Sequence, residues 1–524
     1  MSELPSSQPV NQPASVATPH GTAAEIDASC RFPLLLLFLS AAVWLVIGSS
    51  FALISSIKFH SPSFLADSAW LTYGRVWPVS IDATLYGFCV QAGLGVSLWL
   101  LARLGRTPLA LPWLVSLGAV VWNLGVTLGM IGILAGNGTG FEYLEMPIHA
   151  AVLMFLGYIT IAIACVHTYH KRRETQPYAS QWFACTGLFW FAWLFSTAIL
   201  LLLASPVRGV AQAVLVWWFA QNLLVVWLGL IGMATLFYFI PKLTGRDLHS
   251  HYLALFAYWT LILFSSWGGI PKSAPVPAWM PTLSTIASGF TLLPIIAVVL
   301  NVFATARAKH VTPTLDAPQK LSRDTGSSLS SAGREEAGYG LPTRPRIARP
   351  LPALRFLFVG VAAFVVAGLM QVSCALPEPG LHFTWFATAM VQMQSHGFFA
   401  MVMFGAVYYI LPGVIGLDVP WPRLVRAHFW LATLGIVLLA LPLALAGVVQ
   451  GFELQNASLA FVDVSKTSLP FLRVSTIGGL FLWLGHLFFV GNLVGLAVRF
   501  YRVKTVSAYA AYTADLYQPA TAQS

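Results

Sequence analysis

Charged side chains are scarce in this chain of 524 residues. They make up 9% of the sequence, whereas a soluble domain carries about 25%, and hydrophobic residues reach 57%. This balance excludes a soluble globular protein. The mean hydropathy is +0.76, and apolar runs of about 20 residues recur along the chain, each long enough to cross a bilayer as a helix.

Cysteine is also sparse, and its spacing excludes one kind of cofactor attachment. The five cysteines are scattered singly, with no C-x-x-C pair and no C-x-x-C-H motif. A covalently attached c-type haem is therefore not expected. Isolated cysteines in apolar segments are typical of small buried side chains.

The apolar runs predict an all-α, polytopic membrane protein, because lipid offers no partner for backbone polar groups and only helices satisfy them within one segment. About twelve transmembrane helices are predicted, at 33–57, 81–102, 112–136, 147–167, 182–204, 213–240, 252–270, 279–303, 356–375, 383–411, 427–448 and 475–498.

The net charge of +10 is explained by topology and does not indicate a nucleic-acid partner. With the N-terminus inside, 22 of the 28 Lys and Arg residues fall in inside segments and 6 fall outside. Basic residues concentrate on the cytoplasmic side of membrane proteins. We therefore expect a multi-pass protein of the bacterial inner membrane with both termini in the cytoplasm and the lipid bilayer as its surroundings.

Polar segments divide the chain. Residues 1–29 lack the basic, apolar and small-residue order of a cleavable signal peptide and predict a disordered cytoplasmic tail. Residues 304–352 are rich in Arg, Pro, Ser and Gly and predict a disordered cytoplasmic linker that interrupts the membrane domain at 30–505. Residues 506–524 are expected to form a cytoplasmic tail.

Several runs carry a resemblance to a known family: WLTYGRVWP from Trp70, FEYLEMPI from Phe141, WWFAQN from Trp217, LFYFIPK from Leu236 and FGAVYYILP from Phe404. In order and spacing they resemble the large subunit (subunit I) of cbb(3)-type cytochrome c oxidase, in the haem-copper oxidase superfamily. The resemblance implies that family's helical bundle. It also implies an enzyme that takes electrons from c-type cytochromes and reduces O₂ at a haem and copper pair.

That chemistry requires six histidines, because imidazole nitrogen ligates the two haem irons and the copper. The positions that the resemblance assigns to these ligands, or to the tyrosine cross-linked to one of them, hold other residues here: Ser80, Gln221, Ser265, Met390 and Gln392. The copper-binding pair of histidines is also absent from the segment after Trp267. We therefore expect no catalytic residues, no copper and no bound cofactor.

Of the 12 histidines, His396 and His486 alone are predicted to lie well inside the membrane, where polar groups are costly and often functional. They are the candidates for relocated ligands of haem b. The alternative is that each is a hydrogen-bonded core residue. His428 is expected near the start of its helix.

Other polar residues have an open interpretation. Gln221, Asn222, Gln392 and Gln394 place amides at membrane depth, where they either line the volume that a haem takes in the related enzymes or form ordinary bonds between helices. Glu142 and Glu145 lie in the FEYLEMPI run, and we expect them to be solvated loop acids.

Three functions remain from the sequence. The first is a metal-free relative of the oxidase large subunit that serves as a structural or partner subunit of a respiratory redox complex, in which c-type cytochrome subunits are possible partners. The second is a working haem-binding oxidase subunit with relocated ligands. The third is transport or sensing of a small molecule through a polar interior.

Overall fold

The computed structural model describes residues 22–308, 351–376 and 380–516. Within these ranges the chain forms twelve helices and no strand, which confirms the predicted all-α bundle. We number them α1 (Ala23–His60), α2 (Tyr73–Leu104), α3 (Pro112–Ala135), α4 (Ile148–His170), α5 (Ala179–Ala204), α6 (Val210–Thr244), α7 (His251–Ser265), α8 (Trp279–Arg307), α9 (Leu351–Ala375), α10 (Trp385–Ile415), α11 (Pro422–Glu453) and α12 (Phe461–Leu516).

Eleven of these helices are long and apolar enough to span a membrane. The exception is α7, which ends at Ser265 and not at the predicted residue 270. Gly269, with a φ of +92°, and Pro271 follow within six residues. A left-handed glycine and a proline both disfavour continuation of the helix to residue 270. At 15 residues, α7 extends about 22 Å, which is short for a transmembrane segment.

The first and last helices extend beyond their predicted boundaries. The first helix begins at Ala23, where Thr22 and Glu25 form a capping box, so residues 23–29 are helical and not part of the predicted tail. The last helix runs from Phe461 to Leu516 and takes in residues 506–516. Residues 1–21, 309–350 and 517–524 of the predicted tails and linker lie outside the described residues.

Three helices form the centre of the bundle. In α2, α6 and α10 the apolar windows are 100%, 89% and 89% buried, against about half in the other spans. Each of the three contains a wider π-helical stretch, at Ala83–Val90, Asn222–Trp227 and Met393–Ala400. Such stretches reorient side chains within a helix and are frequent at functional sites. Residues at the centre of these helices are therefore the first to inspect.

Candidate functional site

The core between α2, α6 and α10 is filled by aromatic side chains. Trp227 and Phe399 lie with their ring centroids 5.9 Å apart, and both approach the backbone of Gly93. Phe398 packs on Gly232 so closely that a Cβ there would overlap its ring. Rings and small residues thus interdigitate at the centre of the bundle.

Two of the substituted ligand positions come together at the end of α7. The side-chain amide of Gln221 donates a hydrogen bond of 2.9 Å to the backbone carbonyl of Ser265, and the next residue, Asn222, donates one of 3.3 Å to the carbonyl of Ser266. The last carbonyls of a helix have no partner within it. Gln221 and Asn222 therefore cap α7 inside the protein, and Gly268 and Gly269 pack against the Gln221 side chain.

The other substituted positions are separated from this pair. Ser80 is buried and donates a hydrogen bond of 2.7 Å to the carbonyl of Trp77 in its own helix. Met390 packs beside an apolar cluster that includes Phe386 and Leu443. Gln392 faces a cavity between α1, α2, α10, α11 and α12. The structure therefore divides the five positions among a helix cap, a helix interior, an apolar cluster and a cavity.

The cavity between these five helices, which we call the α10 cavity, also contains His396 in its wall. The ring of His396 lies 6.0 Å from the ring of His486, with an angle of 22° between the planes. His486 is completely enclosed, and neither of its ring nitrogens has a hydrogen-bond partner among the described residues. The structure thus brings the two candidate histidines together, one at the cavity and one behind it.

The two histidines do not face each other across the α10 cavity. A low-spin haem takes two axial imidazoles, one from each face of the porphyrin, whereas His396 lines the α10 cavity and His486 is not among its lining residues. Gln221, at a position that the resemblance assigns to a copper ligand, instead uses its amide nitrogen in the hydrogen bond to the Ser265 carbonyl. Within the described ranges no group of three His, Cys, Asp or Glu side chains could hold a metal ion.

His428 is a further candidate functional residue, which the sequence analysis did not identify. Because α11 begins at Pro422 and not near residue 427, His428 lies more than one turn inside the helix and is completely buried. The hydroxyl of Tyr408 lies 3.0 Å from its Nδ1. The predicted position near a helix start is therefore wrong, and the signal that could have revealed it is the apolar run that follows His428 from Phe429 onward.

Asp82 on α2 is a second candidate functional residue that the sequence analysis did not identify. Its carboxyl group interacts with that of Glu145 in the loop between α3 and α4. Glu145 is 8% exposed, so the expectation of a solvated acid is wrong for this residue, while Glu142 is exposed as expected. Burial raises the pKa of Glu145 to about 7. The Tyr86 hydroxyl, beside Asp82, donates a hydrogen bond to the carbonyl of Tyr143 in the same loop.

Comparison with known proteins identifies the bundle. Residues 33–319 and 341–481 match the family described as cytochrome c and quinol oxidase polypeptide I. A cytochrome c oxidase subunit 1 homolog of Azorhizobium caulinodans is 25% identical over 491 residues, covering 90% of this chain and 82% of its own length. The cbb3-type cytochrome c oxidase subunit CcoN1 of Stutzerimonas stutzeri is 25% identical over 495 residues, covering 90% and 94%.

These matches confirm the resemblance to the cbb(3)-type large subunit that the aromatic runs carry. They extend over nearly the whole bundle, including every helix from α1 to α11. The chain is a multi-pass membrane protein, and it belongs to the cytochrome c and quinol oxidase polypeptide I family.

Proposed function

We propose that this chain is a subunit I-type protein without an oxygen-reducing centre, which serves as a structural or partner subunit of a respiratory redox complex in the bacterial inner membrane, with both termini in the cytoplasm. The observation that carries the proposal is the bond from Gln221 to the Ser265 carbonyl. A position that the resemblance assigns to a copper ligand here caps a helix.

Two further features support this function. The aromatic packing of Trp227, Phe398 and Phe399 closes the centre of the bundle, and a porphyrin is many times larger than the gaps between closely packed side chains. The retained bundle, with lipid-facing helices around a packed centre, supplies a rigid surface on which other membrane subunits can assemble. A c-type cytochrome subunit is the expected partner, because related large subunits take electrons from such proteins.

The alternative of a haem-binding subunit has one observation in its favour, the imidazole of His396 in the wall of the α10 cavity. A second imidazole does not face it across the cavity. The residues that line the cavity also include no Lys or Arg that could pair with the propionate groups of a haem. The metal-free function is therefore the better supported of the two.

The test is to purify the full-length chain from a haem-replete host, measure iron and copper, and record a reduced-minus-oxidised optical spectrum. The matched control is the Stutzerimonas CcoN1 relative, produced and purified in the same way. We expect a folded protein with iron and copper far below one per chain and no absorption of b-type haem. Stoichiometric haem in this chain would overturn the proposal.

A second measurement addresses the partner. The tagged chain is extracted from its native membranes with a mild detergent, and the co-purifying proteins are stained for covalently bound haem. A c-type cytochrome at a constant ratio to the chain supports the partner role. If the chain is recovered alone from membranes in which such cytochromes are abundant, the partner role is wrong.

A further inference from the structure

At the end of the bundle opposite the two chain termini, α11 and α12 extend past the end of α1. The last helix, α12, runs from Phe461 to Leu516 and spans about 84 Å, whereas a bilayer with its headgroups is about 40–45 Å thick. The antiparallel helix α11, from Pro422 to Glu453, spans about 48 Å. A large part of α12 and a shorter part of α11 must therefore lie outside the membrane.

Contacts with α1 show where α12 leaves the membrane. The hydroxyl of Thr476 lies 2.7 Å from that of Ser56 and 3.2 Å from Nε2 of His60, the last residue of α1. Arg473, one turn further out, is exposed, and a charged side chain is costly in hydrocarbon. The membrane boundary therefore lies near Thr476. From there α12 continues outward for about 15 residues to Phe461, a distance of about 22 Å.

The turn between the two helices forms a surface beyond the bilayer, which we call the outer tip and define as residues 452–463. It lies well past the headgroup layer, which adds roughly 5–8 Å to each side of the hydrocarbon. Its backbone is fixed by hydrogen bonds, such as that of 2.9 Å from the Leu454 N–H to the Gln450 carbonyl. The outer tip is therefore an ordered surface that lipid does not reach.

The outer tip exposes large apolar side chains. The exposed fractions are 61% for Phe452, 46% for Leu454, 43% for Leu459, 67% for Phe461 and 62% for Val462. Within the membrane such side chains would be covered by lipid, but at this height they would face water. Clustered apolar side chains on a surface in water mark sites of interaction with other proteins. The outer tip is therefore a surface that another protein covers.

The charge and the size of the outer tip restrict what covers it. Its charged residues are Glu453 and Asp463, and Asp463 is paired with Lys466 at 3.1 Å, so the remaining charge is negative. A stable interface takes about 20 residues or more from each partner, which is more than the tip supplies. Two copies that meet only at their tips would form too small a contact. A protein with its own membrane anchor needs less, because tethering raises its local concentration.

We propose that the outer tip is the docking surface for the extramembrane domain of a membrane-anchored partner protein, which covers it with an apolar face that carries no negative charge. The inference deepens the partner role proposed above and rests on it. It adds the place of contact, on the side of the membrane opposite the two termini, and it does not depend on whether the chain binds haem.

The first measurement identifies what contacts the outer tip. p-Benzoylphenylalanine is introduced in place of Phe461 in the full-length chain, native membranes are irradiated, and the adducts are identified by mass spectrometry. The control carries the same group in place of Phe189, which is 66% exposed on α5. We expect one discrete adduct with a second, membrane-anchored protein at position 461 and lipid adducts at position 189. An adduct of the chain with itself, or only lipid adducts at position 461, overturns the proposal.

The second measurement tests the apolar side chains. Phe461→Ser combined with Val462→Ser should lower about tenfold the amount of the cross-linked protein that co-purifies per chain in mild detergent. The matched control is Val506→Ser combined with Tyr509→Ser at the other end of α12, where these residues are 61% and 69% exposed, and it should retain the wild-type ratio. Thermal unfolding of each variant shows whether a loss of binding is a loss of fold.

The outcomes separate this proposal from the proposed function. A loss of the partner in the outer-tip variant alone supports the docking role. Equal recovery of the partner with both double variants overturns the docking role and leaves the partner role intact. If no membrane-anchored protein co-purifies even with the wild-type chain, both the docking role and the partner role are wrong.

Discussion

The Gln221 side chain on α6 donates a hydrogen bond of 2.9 Å to the carbonyl of Ser265, the last residue of α7. This bond ties α7, the shortest of the twelve helices in the described ranges, to a central helix of the bundle. A glutamine at a position that the resemblance assigns to a ligand is therefore part of the packing that positions α7. The structural consequences of that bond can be measured directly.

Replacing Gln221 with Leu should destabilise the protein. The variant removes the shorter of two hydrogen bonds to the Ser265 carbonyl, which keeps only the 3.4 Å bond from the Gly268 N–H, and the loss of one such bond costs about 0.5–1.5 kcal/mol. Thermal unfolding in detergent, followed by circular dichroism, should show a lower midpoint. Gln212→Leu, at the half-buried beginning of the same helix, is the control and should unfold near the wild-type temperature. Equal midpoints for both variants would contradict the capping role.

His486 and His428 should respond in opposite ways to replacement by Leu. Neither nitrogen of His486 has a partner within the described residues, so removing its ring leaves no group unpaired, and stability should be unchanged or higher by up to about 2 kcal/mol. Replacing His428 removes one of the two hydrogen-bond partners of the Tyr408 hydroxyl, the other being Asn492, and should lower stability. A large loss of stability in His486→Leu, together with loss of bound iron, would instead identify His486 as a haem ligand.

The fold could be predicted from the sequence because the backbone N–H and C=O groups of each apolar run can be hydrogen-bonded in lipid only if the run forms a helix. The ends of the helices are predicted less accurately than their number. The predicted length of α7 is too great because Gly269 and Pro271 lie within a segment that is still apolar on average. Hydropathy counts side chains in a window and does not detect a local backbone conformation.

The candidate site was only partly predictable. His396 and His486 are predicted at membrane depth, and in the structure His486 is completely buried and His396 half-buried. The burial of Glu145 was missed because its partner, Asp82, lies in a different segment of the chain. The α10 cavity could not be predicted either, since five helices contribute to it and no run of sequence contains its walls.

The orientation of the bundle remains a prediction, and fusions can test it. With the N-terminus in the cytoplasm, the loop that follows α3 lies on the opposite side from the C-terminus. Green fluorescent protein fused after residue 524 should fluoresce, and alkaline phosphatase fused there should be inactive. Phosphatase inserted after Gly138, in the loop that follows α3, should be active. The reverse pattern would invert the predicted topology.

The stability of the loop between α3 and α4 should depend on pH. Burial raises the pKa of Glu145 to about 7, while the same carboxyl group in an unfolded chain has its usual pKa near about 4.3. The folded protein therefore binds more protons than the unfolded chain between these values. The contribution of Glu145 to the free energy of unfolding should therefore be fully present below about pH 4.3 and should be lost as the pH rises through about 7.

The surroundings of Glu145 strengthen this expectation. The groups that face it are Asp82, Glu142 and Tyr143, and none of them is a cation. Because Asp82 and Glu145 interact, the observed titration belongs to the pair and not to one residue. Loss of the proton would place negative charge beside the buried Asp82 and weaken the contact of this loop with α2.

Thermal unfolding between about pH 5 and about pH 8 measures the effect, with Glu145→Gln as the variant that cannot titrate at this position. We expect the wild-type midpoint to fall across this range, and the Glu145→Gln midpoint to fall less. Asp67→Asn changes an exposed carboxylate at the same end of the bundle and should retain the wild-type slope. If Glu145→Gln and wild type lose stability in parallel, the pH dependence arises elsewhere, and the Asp82–Glu145 contact is merely structural.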